Sequence, residues 1–255
     1  MSTQSWIEEH TDELTRALRW LGDQSGLVER WGAELADRLV AGHRVLVAGN
    51  GGSAAEAQHL TSELVGRFLA ERRPFSALSL CAESSSVTAI VNDYGADEMF
   101  ARQVEAHGRP GDVLVLLSTS GRSPNILRAA ERGQALGLRV WALSGAAPNP
   151  LVGCAHEALA VPAPSTAAVQ AAHLVAIHAL CAAFDARVGQ HDAGLVDAHA
   201  PASASASEVT PPPERPAEPG TPGVPAPAPD RRSLDGALAA RVADARRSGT
   251  HAAQH

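Results

Sequence analysis

Residues 112–123 read DVLVLLSTSGRS, a run of aliphatic residues followed directly by a loop rich in hydroxyl groups. The five consecutive aliphatic residues predict a strand that is covered on both faces, as in a parallel sheet. The loop opens a predicted helix over 124–136, where Pro124 is acceptable because it falls in the first turn. A strand, a polar loop and a helix in this order indicate one unit of an α/β fold.

The same order of elements recurs on both sides of this stretch. The other strands are predicted at 44–48, 76–80, 139–143 and 157–161. Two amphipathic helices, 5–22 and 26–41, precede the first strand, and a long helix over 166–188 follows the last. Since helices alternate with strands, the sequence predicts a three-layer α/β sandwich around a parallel five-stranded sheet.

Proline divides the chain into three parts. Ten of its 17 prolines fall within 201–230, among Ala, Ser and Gly. Such a segment buries too little apolar surface to offset its ordering entropy, so we expect residues 193–230 to form a disordered linker. Residues 1–192 are then one domain, and 231–255 form a tail with the spacing of a short helix.

The composition excludes several chemistries. All 21 basic residues are arginine, so the chain contains no lysine. Without lysine there is no Schiff base to pyridoxal phosphate and no phosphate-binding loop of the GxxxxGK type. The net charge of −7 argues against general nucleic-acid binding, which depends on neutralising phosphates. We expect no organic cofactor.

The chain has the features of a soluble cytoplasmic protein. Its three cysteines are far apart and lack CxxC spacing, which suits a reducing compartment. The first ten residues are polar and acidic, where a signal peptide would be basic and then apolar. The apolar stretch 171–184 is interrupted by two histidines and is too short to span a bilayer. We therefore expect no membrane association.

Two loops that open helices are candidates for ligand binding. One is GNGGS at 49–53, after the first strand, and the other is STSGRS at 118–123, after the third. Hydroxyl and backbone N–H groups at a helix N-terminus bind phosphate, and ligands of α/β folds lie at the carboxyl ends of strands. Serine and glycine also cap helices and form turns, which explains either loop alone. Two such loops together favour a phosphate site.

Titratable residues occur at helical spacing in two helices. His59 and Glu63 lie four residues apart on one helix face, where the carboxylate can act as a general base or the pair can bind a metal. The alternative for this pair is a surface hydrogen bond. In the last helix, His173 is predicted to be a packing histidine. His178 is a candidate proton carrier, although spacing alone does not decide its role.

Three stretches of the chain resemble a known family. They are GNGGSAAEAQHLTSELVGRF at 49–68, VTAIVNDYGADEMFARQVEAHGRPGDVLVLLSTSGRSPNILRA at 87–129, and QxxHxxxxH at 170–178. Together they resemble the phosphoheptose isomerases of the SIS (sugar isomerase) domain superfamily. The similarity runs in collinear order over roughly residues 30–185. It implies that the sandwich has the SIS fold.

The resemblance implies a reaction and its residues. The reaction is the isomerisation of D-sedoheptulose 7-phosphate to D-glycero-D-manno-heptose 7-phosphate through an enediol, the first step of nucleotide-activated heptose biosynthesis. Glu63 matches the family's catalytic base and His178 its histidine partner. The residues matching the binding site for this phosphorylated seven-carbon sugar are Asn50, Gly51, Gly52, Ser53, Glu63, Asn92, Asp93, Ser118, Thr119, Ser120, Ser123 and Gln170.

The resemblance also implies a metal and an assembly. It implies one zinc ion per subunit, held by His59, Glu63, Gln170 and His178. It further implies a homotetramer with its sites at the subunit interfaces.

The sequence departs from the family pattern near the sugar site. Ala171 replaces a common glutamate, and Ala167 lies where an aspartate is common. Arg122 replaces the usual asparagine, and the loop after Leu143 lacks the usual lysine. These departures affect the prediction of sugar specificity and leave the acid/base pair intact. A second hypothesis is a noncatalytic SIS-domain protein, which binds a phosphosugar or regulates a replication initiator.

Overall fold

The computed structural model describes the backbone of residues 1–198 and the side chains of residues 1–193. These residues all belong to one compact unit. The predictions for residues 199–230 of the linker, and for the tail 231–255, lie outside the described residues. Residues 193–198 continue the last helix, past the predicted domain end at residue 192.

The centre of the fold is a five-stranded sheet in which every neighbouring pair is parallel. Its strands are β1 (Val45–Gly49), β2 (Ala77–Ser79), β3 (Val113–Ser118), β4 (Arg139–Gly145) and β5 (Glu157–Val161). Their order across the sheet is β2-β1-β3-β4-β5. The predicted fold class and all five strands are therefore confirmed.

Helices cover both faces of this sheet. They are α1 (Thr3–Asp23), α2 (Ser25–Val40), α3 (Gly52–Val65), α4 (Ser84–Tyr94), α5 (Ala101–His107), α6 (Pro124–Ala135), α7 (Pro150–Cys154) and α8 (Thr166–Ala198), with a 3₁₀ turn at Ala96–Glu98. The sequence did not predict α7, which has a single turn. Its N-cap residue is Asn149, whose side chain accepts a hydrogen bond from the N–H of Val152.

The hydrophobic core lies on both faces of the sheet. Val113 and Val115 of β3 pack on the face covered by α2, α3 and α8, where Trp31 stacks on Trp141 at 4.9 Å between ring centroids. Leu114 and Leu116 point to the opposite face, which α5 and α6 cover. Every residue of β3 is therefore buried, which explains its continuous aliphatic sequence.

Helix α8 is apolar and long. Its residues Thr166–Ala193 have the length and composition of a membrane-spanning helix, and half of the most apolar stretch is buried within the fold. A helix in the core of a folded domain has the same properties, and α8 packs against α1, α2 and α3.

Candidate functional site

The two predicted ligand loops lie next to each other at the carboxyl ends of the strands. Strand β1 pairs with β3 on one side, with Gly49 opposite Leu117, and with β2 on its other side. A parallel sheet has a crevice at such a switch point, outside the carboxyl ends of the strands. The loops 49–53 and 118–123 border this crevice.

An amide pair ties the two loops together. Nδ2 of Asn50 donates to Oδ1 of Asn125 at 3.0 Å, and Nδ2 of Asn125 donates to Oδ1 of Asn50 at 2.9 Å. Asn50 follows β1, whereas Asn125 lies in the first turn of α6, after β3. Sequence analysis identified Asn50 and missed Asn125, because the pairing depends on the strand order. Asn125 therefore helps to fix the spacing of the two loops.

The second loop presents several hydroxyl groups at the start of α6. Oγ of Ser118 and Oγ of Ser123 lie 3.3 Å apart. Ser123 is the N-cap residue of α6, yet its side chain makes no capping hydrogen bond in the described part of the chain. The loop turns at Gly121, with φ of +60°, where a Cβ atom would lie 2.0 Å from Oδ1 of Asn149. Since only one of the two serine hydroxyls donates to the other, the hydrogen of the accepting hydroxyl remains available to an anion.

Three further predicted residues of the loops have distinct positions. Thr119 is half-buried, and its carbonyl oxygen accepts a hydrogen bond from the N–H of Gly145 at the end of β4. Ser120 is exposed, and its Oγ accepts from the N–H of Arg122. In the first loop, Ser53 is 3% exposed and lies in the first turn of α3, directly after Gly52.

A second group of residues lies farther along α3. Nε2 of His59 is 2.9 Å from Nε2 of His178 and 3.3 Å from Oε1 of Glu63. The ligand atoms of these three residues all lie within 4.8 Å of one another. Phe68 stacks over the His178 ring at 5.6 Å between centroids. We call these three titratable residues the His59–Glu63–His178 cluster.

A buried arginine holds the end of α3 that carries this cluster. Nη2 of Arg72 donates to the carbonyl oxygen of Glu63 at 2.6 Å, and its Nε donates to Oδ1 of Asp185 in α8 at 2.7 Å. Its guanidinium group also lies over the rings of Phe75 and Phe184. Sequence analysis missed Arg72, since no local pattern marks a contact with a helix more than 100 residues away. It fixes the backbone of Glu63 against α8.

Gln170 lies away from this cluster. Its side-chain amide packs against Gly52, where a Cβ atom would lie 2.4 Å from its Nε2. Gly52 begins α3 and Glu63 lies near its end, so roughly 16 Å of helix axis separates them. Within one chain, Gln170 is therefore beside the ligand loops, at the opposite end of α3 from Glu63.

Asn92 and Asp93 form a separate, exposed group at the end of α4. Nδ2 of Asn92 donates to Oδ1 of Asp93 at 2.7 Å. Neither side chain is hydrogen-bonded to the two ligand loops within the described residues. Helix α4 buries no residue in the single chain.

Comparisons with known proteins agree with this arrangement. The SIS domain family model matches residues 9–145. A phosphoheptose isomerase from Streptomyces coelicolor is 58% identical over 195 residues, which cover 76% of this chain and 84% of that protein. One from Rhodospirillum rubrum is 45% identical over 161 residues, covering 63% of this chain and 86% of that protein.

Solved structures of the same kind share the fold. The phosphoheptose isomerase from Francisella tularensis superposes with a TM-score of 0.69 and 33% identity, over 73% of this chain and all of that one. The enzyme from Neisseria gonorrhoeae gives a TM-score of 0.67 and 36% identity, over 72% of this chain and all of that one. These matches, with the loops and the cluster described above, show that the chain belongs to the phosphoheptose isomerase family of SIS-domain proteins.

Proposed function

We propose that this protein isomerises D-sedoheptulose 7-phosphate to D-glycero-D-manno-heptose 7-phosphate. The observation that carries the proposal is the convergence of Glu63 and His178, from two helices, on one nitrogen of His59. A carboxylate beside an imidazole is suited to moving protons on a sugar carbonyl. The relatives that share the family are named phosphoheptose isomerases.

The proposed reaction moves one proton between two carbons. Glu63 removes a proton from C1 of the ketose while His178 protonates the oxygen on C2, which gives the enediol. His178 then accepts the proton of the C1 hydroxyl, and Glu63 returns its proton to C2, which gives the aldehyde at C1. Both groups end the cycle in their starting protonation states, so no other reactant is needed.

The phosphate is bound without any lysine. Its proposed partners are the hydroxyls of Ser118, Thr119, Ser120 and Ser123, together with N–H groups at the start of α6. The Ser123 side chain supports this assignment, because an N-cap serine ordinarily bonds to its own helix, whereas this hydroxyl lies against Oγ of Ser118 in the loop. We propose that Asn50, Gly51, Gly52, Ser53 and Gln170 line the sugar near this loop. Asn92 and Asp93 complete the proposed sugar contacts.

The His59–Glu63–His178 cluster fits zinc. Two imidazoles and one carboxylate are a common ligand set for a catalytic zinc ion, and their ligand atoms already face one another. Zinc bound there would polarise an oxygen of the sugar, and it would change the protonation and role of Glu63 and His178, because metal ligands are deprotonated. We propose Gln170 as the fourth ligand. Because its amide lies at the other end of α3, a second copy of the chain would supply it.

The separation between the ligand loops and Glu63 supports a site that is shared between two copies of the chain. Seven bonds separate C2 of the sugar from its phosphorus, about 9 Å when extended. This is shorter than the roughly 16 Å of helix axis between Gly52 and Glu63. We propose that the loops of one copy face the cluster of another in a homotetramer. A groove of about 790 Å³ between α1, α2 and α8 is lined mainly by apolar residues and offers a surface for assembly.

Two further assignments belong to this proposal. We propose residues 1–192, with α8 continuing to residue 198, as the isomerase domain, and the protein as a cytoplasmic one. The hypothesis of a noncatalytic regulator finds no support among the described residues, where the acid/base pair is intact. Arg122, which stands where the family resemblance implies asparagine, is exposed.

The proposal is tested by incubating the full chain with sedoheptulose 7-phosphate in D₂O and recording NMR spectra. We expect an aldose 7-phosphate to appear, with deuterium at C2 in those turnovers in which the proton on Glu63 exchanges with solvent before it is returned. Neither conversion nor deuterium incorporation, with folded protein and added zinc, would contradict the proposed reaction.

A further inference from the structure

Two buried side chains face each other between α3 and α8. Glu56 is 9% exposed and His173 is fully buried. Oε2 of Glu56 and Nδ1 of His173 have no hydrogen-bond partner among the described residues, yet they lie 3.9 Å apart. Buried polar atoms are nearly always hydrogen-bonded, so this pair requires an explanation.

The other ring nitrogen of His173 indicates the protonation of the pair. Nε2 lies 3.1 Å from the carbonyl oxygen of Ser144, which can only accept, so Nε2 carries a hydrogen. In the neutral ring Nδ1 is then an acceptor, and it requires a donor from Glu56. Burial raises the pKa of Glu56 to about 7 and lowers the pKa of His173 to about 4. Both pKa shifts favour a neutral imidazole beside a protonated carboxyl group.

We propose that Glu56 and His173 form a neutral hydrogen-bonded pair that positions the phosphate-binding half of the site, with the Glu56 carboxylic acid donating to Nδ1 of His173. Rotation of the carboxyl group, about a torsion with a broad minimum, shortens the 3.9 Å separation. Glu56 and His173 are positioning residues, since they act through other groups. The inference rests on the proposed function, because it assigns the pair to the same site.

The contacts of the pair connect it to both ligand loops. Gln170 lies one turn before His173 and packs against Gly52, which lies one turn before Glu56. On the other side, Ser144 receives the His173 hydrogen bond and precedes Gly145, whose N–H donates to the carbonyl oxygen of Thr119. The pair therefore joins α3, α8 and β4 directly behind the loops.

Two substitutions at Glu56 separate the hydrogen bond from the packing. Glu56→Gln keeps the shape and supplies an amide N–H to Nδ1 of His173. Glu56→Met has a similar length and no donor. For each full-length variant we would measure kcat and KM for sedoheptulose 7-phosphate, the dissociation constant for inorganic phosphate, and the melting temperature.

We expect Glu56→Gln to match the wild type, and Glu56→Met to raise both KM and the phosphate dissociation constant about tenfold, as for the loss of one hydrogen bond. The kcat of Glu56→Met should stay within about threefold, since the acid/base cluster lies elsewhere on α3. A lower kcat with unchanged KM and phosphate affinity indicates a merely structural role and overturns the proposal. Equal values for the two variants also overturn it.

Two measurements do not depend on turnover. Phosphate binding tests the pair even if the wild type fails to convert the sugar, so the two proposals fail independently. The ¹⁵N NMR signals of His173 in the wild type test it without any variant, if Glu56→Met does not fold. We expect the neutral tautomer with hydrogen on Nε2 at pH 6. A hydrogen on Nδ1, or an imidazolium ring, overturns the proposal.

Discussion

Nε2 of His59 lies 2.9 Å from Nε2 of His178, although the two residues are 119 positions apart in the sequence. The contact links α3 to α8. This separation fits a hydrogen bond between one protonated and one unprotonated nitrogen, or two ligands turned toward one cation. In either case the contact holds His178 beside Glu63, whose Oε1 lies 3.3 Å from the same nitrogen of His59. His59 is therefore the residue at which the two proposed acid/base groups meet.

Removal of either acid/base group should abolish most of the turnover. Glu63→Gln keeps the shape of the base without its charge, and His178→Ala removes the proton carrier. A positioned proton-transfer group contributes about 10²–10⁴-fold, so we expect each variant to lose at least about 10²-fold in kcat. Gln58→Ala, an exposed change on the same helix, is the control and should retain full activity. Unchanged kcat in both variants would remove Glu63 and His178 from the mechanism.

The hydroxyl of Ser123 should contribute to substrate affinity and little to stability. Ser123→Ala removes a proposed hydrogen bond to a charged phosphate, typically about 1.5–3 kcal/mol, so KM should rise roughly tenfold or more. The melting temperature should change little, because the Ser123 side chain makes no capping bond within the described residues and its hydrogen bond to Oγ of Ser118 is long, at 3.3 Å. Thr15→Ala, on an exposed face of α1, serves as the control. A large loss of stability at constant KM would instead assign the hydroxyl to the helix.

The fold was predictable from the sequence because each strand is a short aliphatic run that ends in a polar turn. The pairing of Asn50 with Asn125 was not, since it depends on which strands become neighbours. His59 and Glu63 were predicted from i, i+4 spacing. The approach of His178 required the packing of α8 on α3, and the same packing brings Glu56 to the predicted packing histidine His173. Local periodicity contains no information on such contacts.

Zinc content should depend on the cluster. We expect protein purified without chelators to contain about one zinc ion per subunit, and His59→Ala to lose most of it, because an imidazole ligand is removed. His43→Ala, a histidine outside the cluster, should keep the wild-type content. Elemental analysis measures the zinc content of each variant. Activity before and after chelation shows whether the ion is required. Equal metal content in the two variants would show that the cluster does not hold the ion.

Glu56 and His173 should give opposite pH dependences of stability that cancel in the intact chain. Burial raises the Glu56 pKa from 4.5 to about 7, so its stabilising contribution is complete below pH 4.5 and lost as pH rises through 7. Burial lowers the His173 pKa from 6.5 to about 4, so its contribution is complete above pH 6.5 and lost as pH falls through 4. Between 4.5 and 6.5 the folded and unfolded pairs each bind one proton, which leaves no net slope.

Replacing one member of the pair should reveal the pH dependence of stability that the other member causes. In Glu56→Gln only His173 titrates, so the free energy of unfolding should rise by up to roughly 3 kcal/mol between pH 4 and 6.5, at about 1.4 kcal/mol per pKa unit. In His173→Gln it should fall by a similar amount between pH 4.5 and 7. Urea unfolding across this range, compared with the wild type, measures both slopes. Slopes of the same sign would contradict the assignment of one shared proton.

A site shared between copies should permit complementation of two inactive variants. Glu63→Gln disables the cluster, whereas Ser123→Asp keeps a good N-cap residue and repels phosphate from the loop. In a mixed oligomer some sites combine the intact loop of the first variant with the intact cluster of the second. Random pairing of equal amounts restores up to about one quarter of wild-type activity. Activity is measured after unfolding and refolding the two variants together, with each refolded alone as the control. If every site lies within one chain, the mixture stays as inactive as its components.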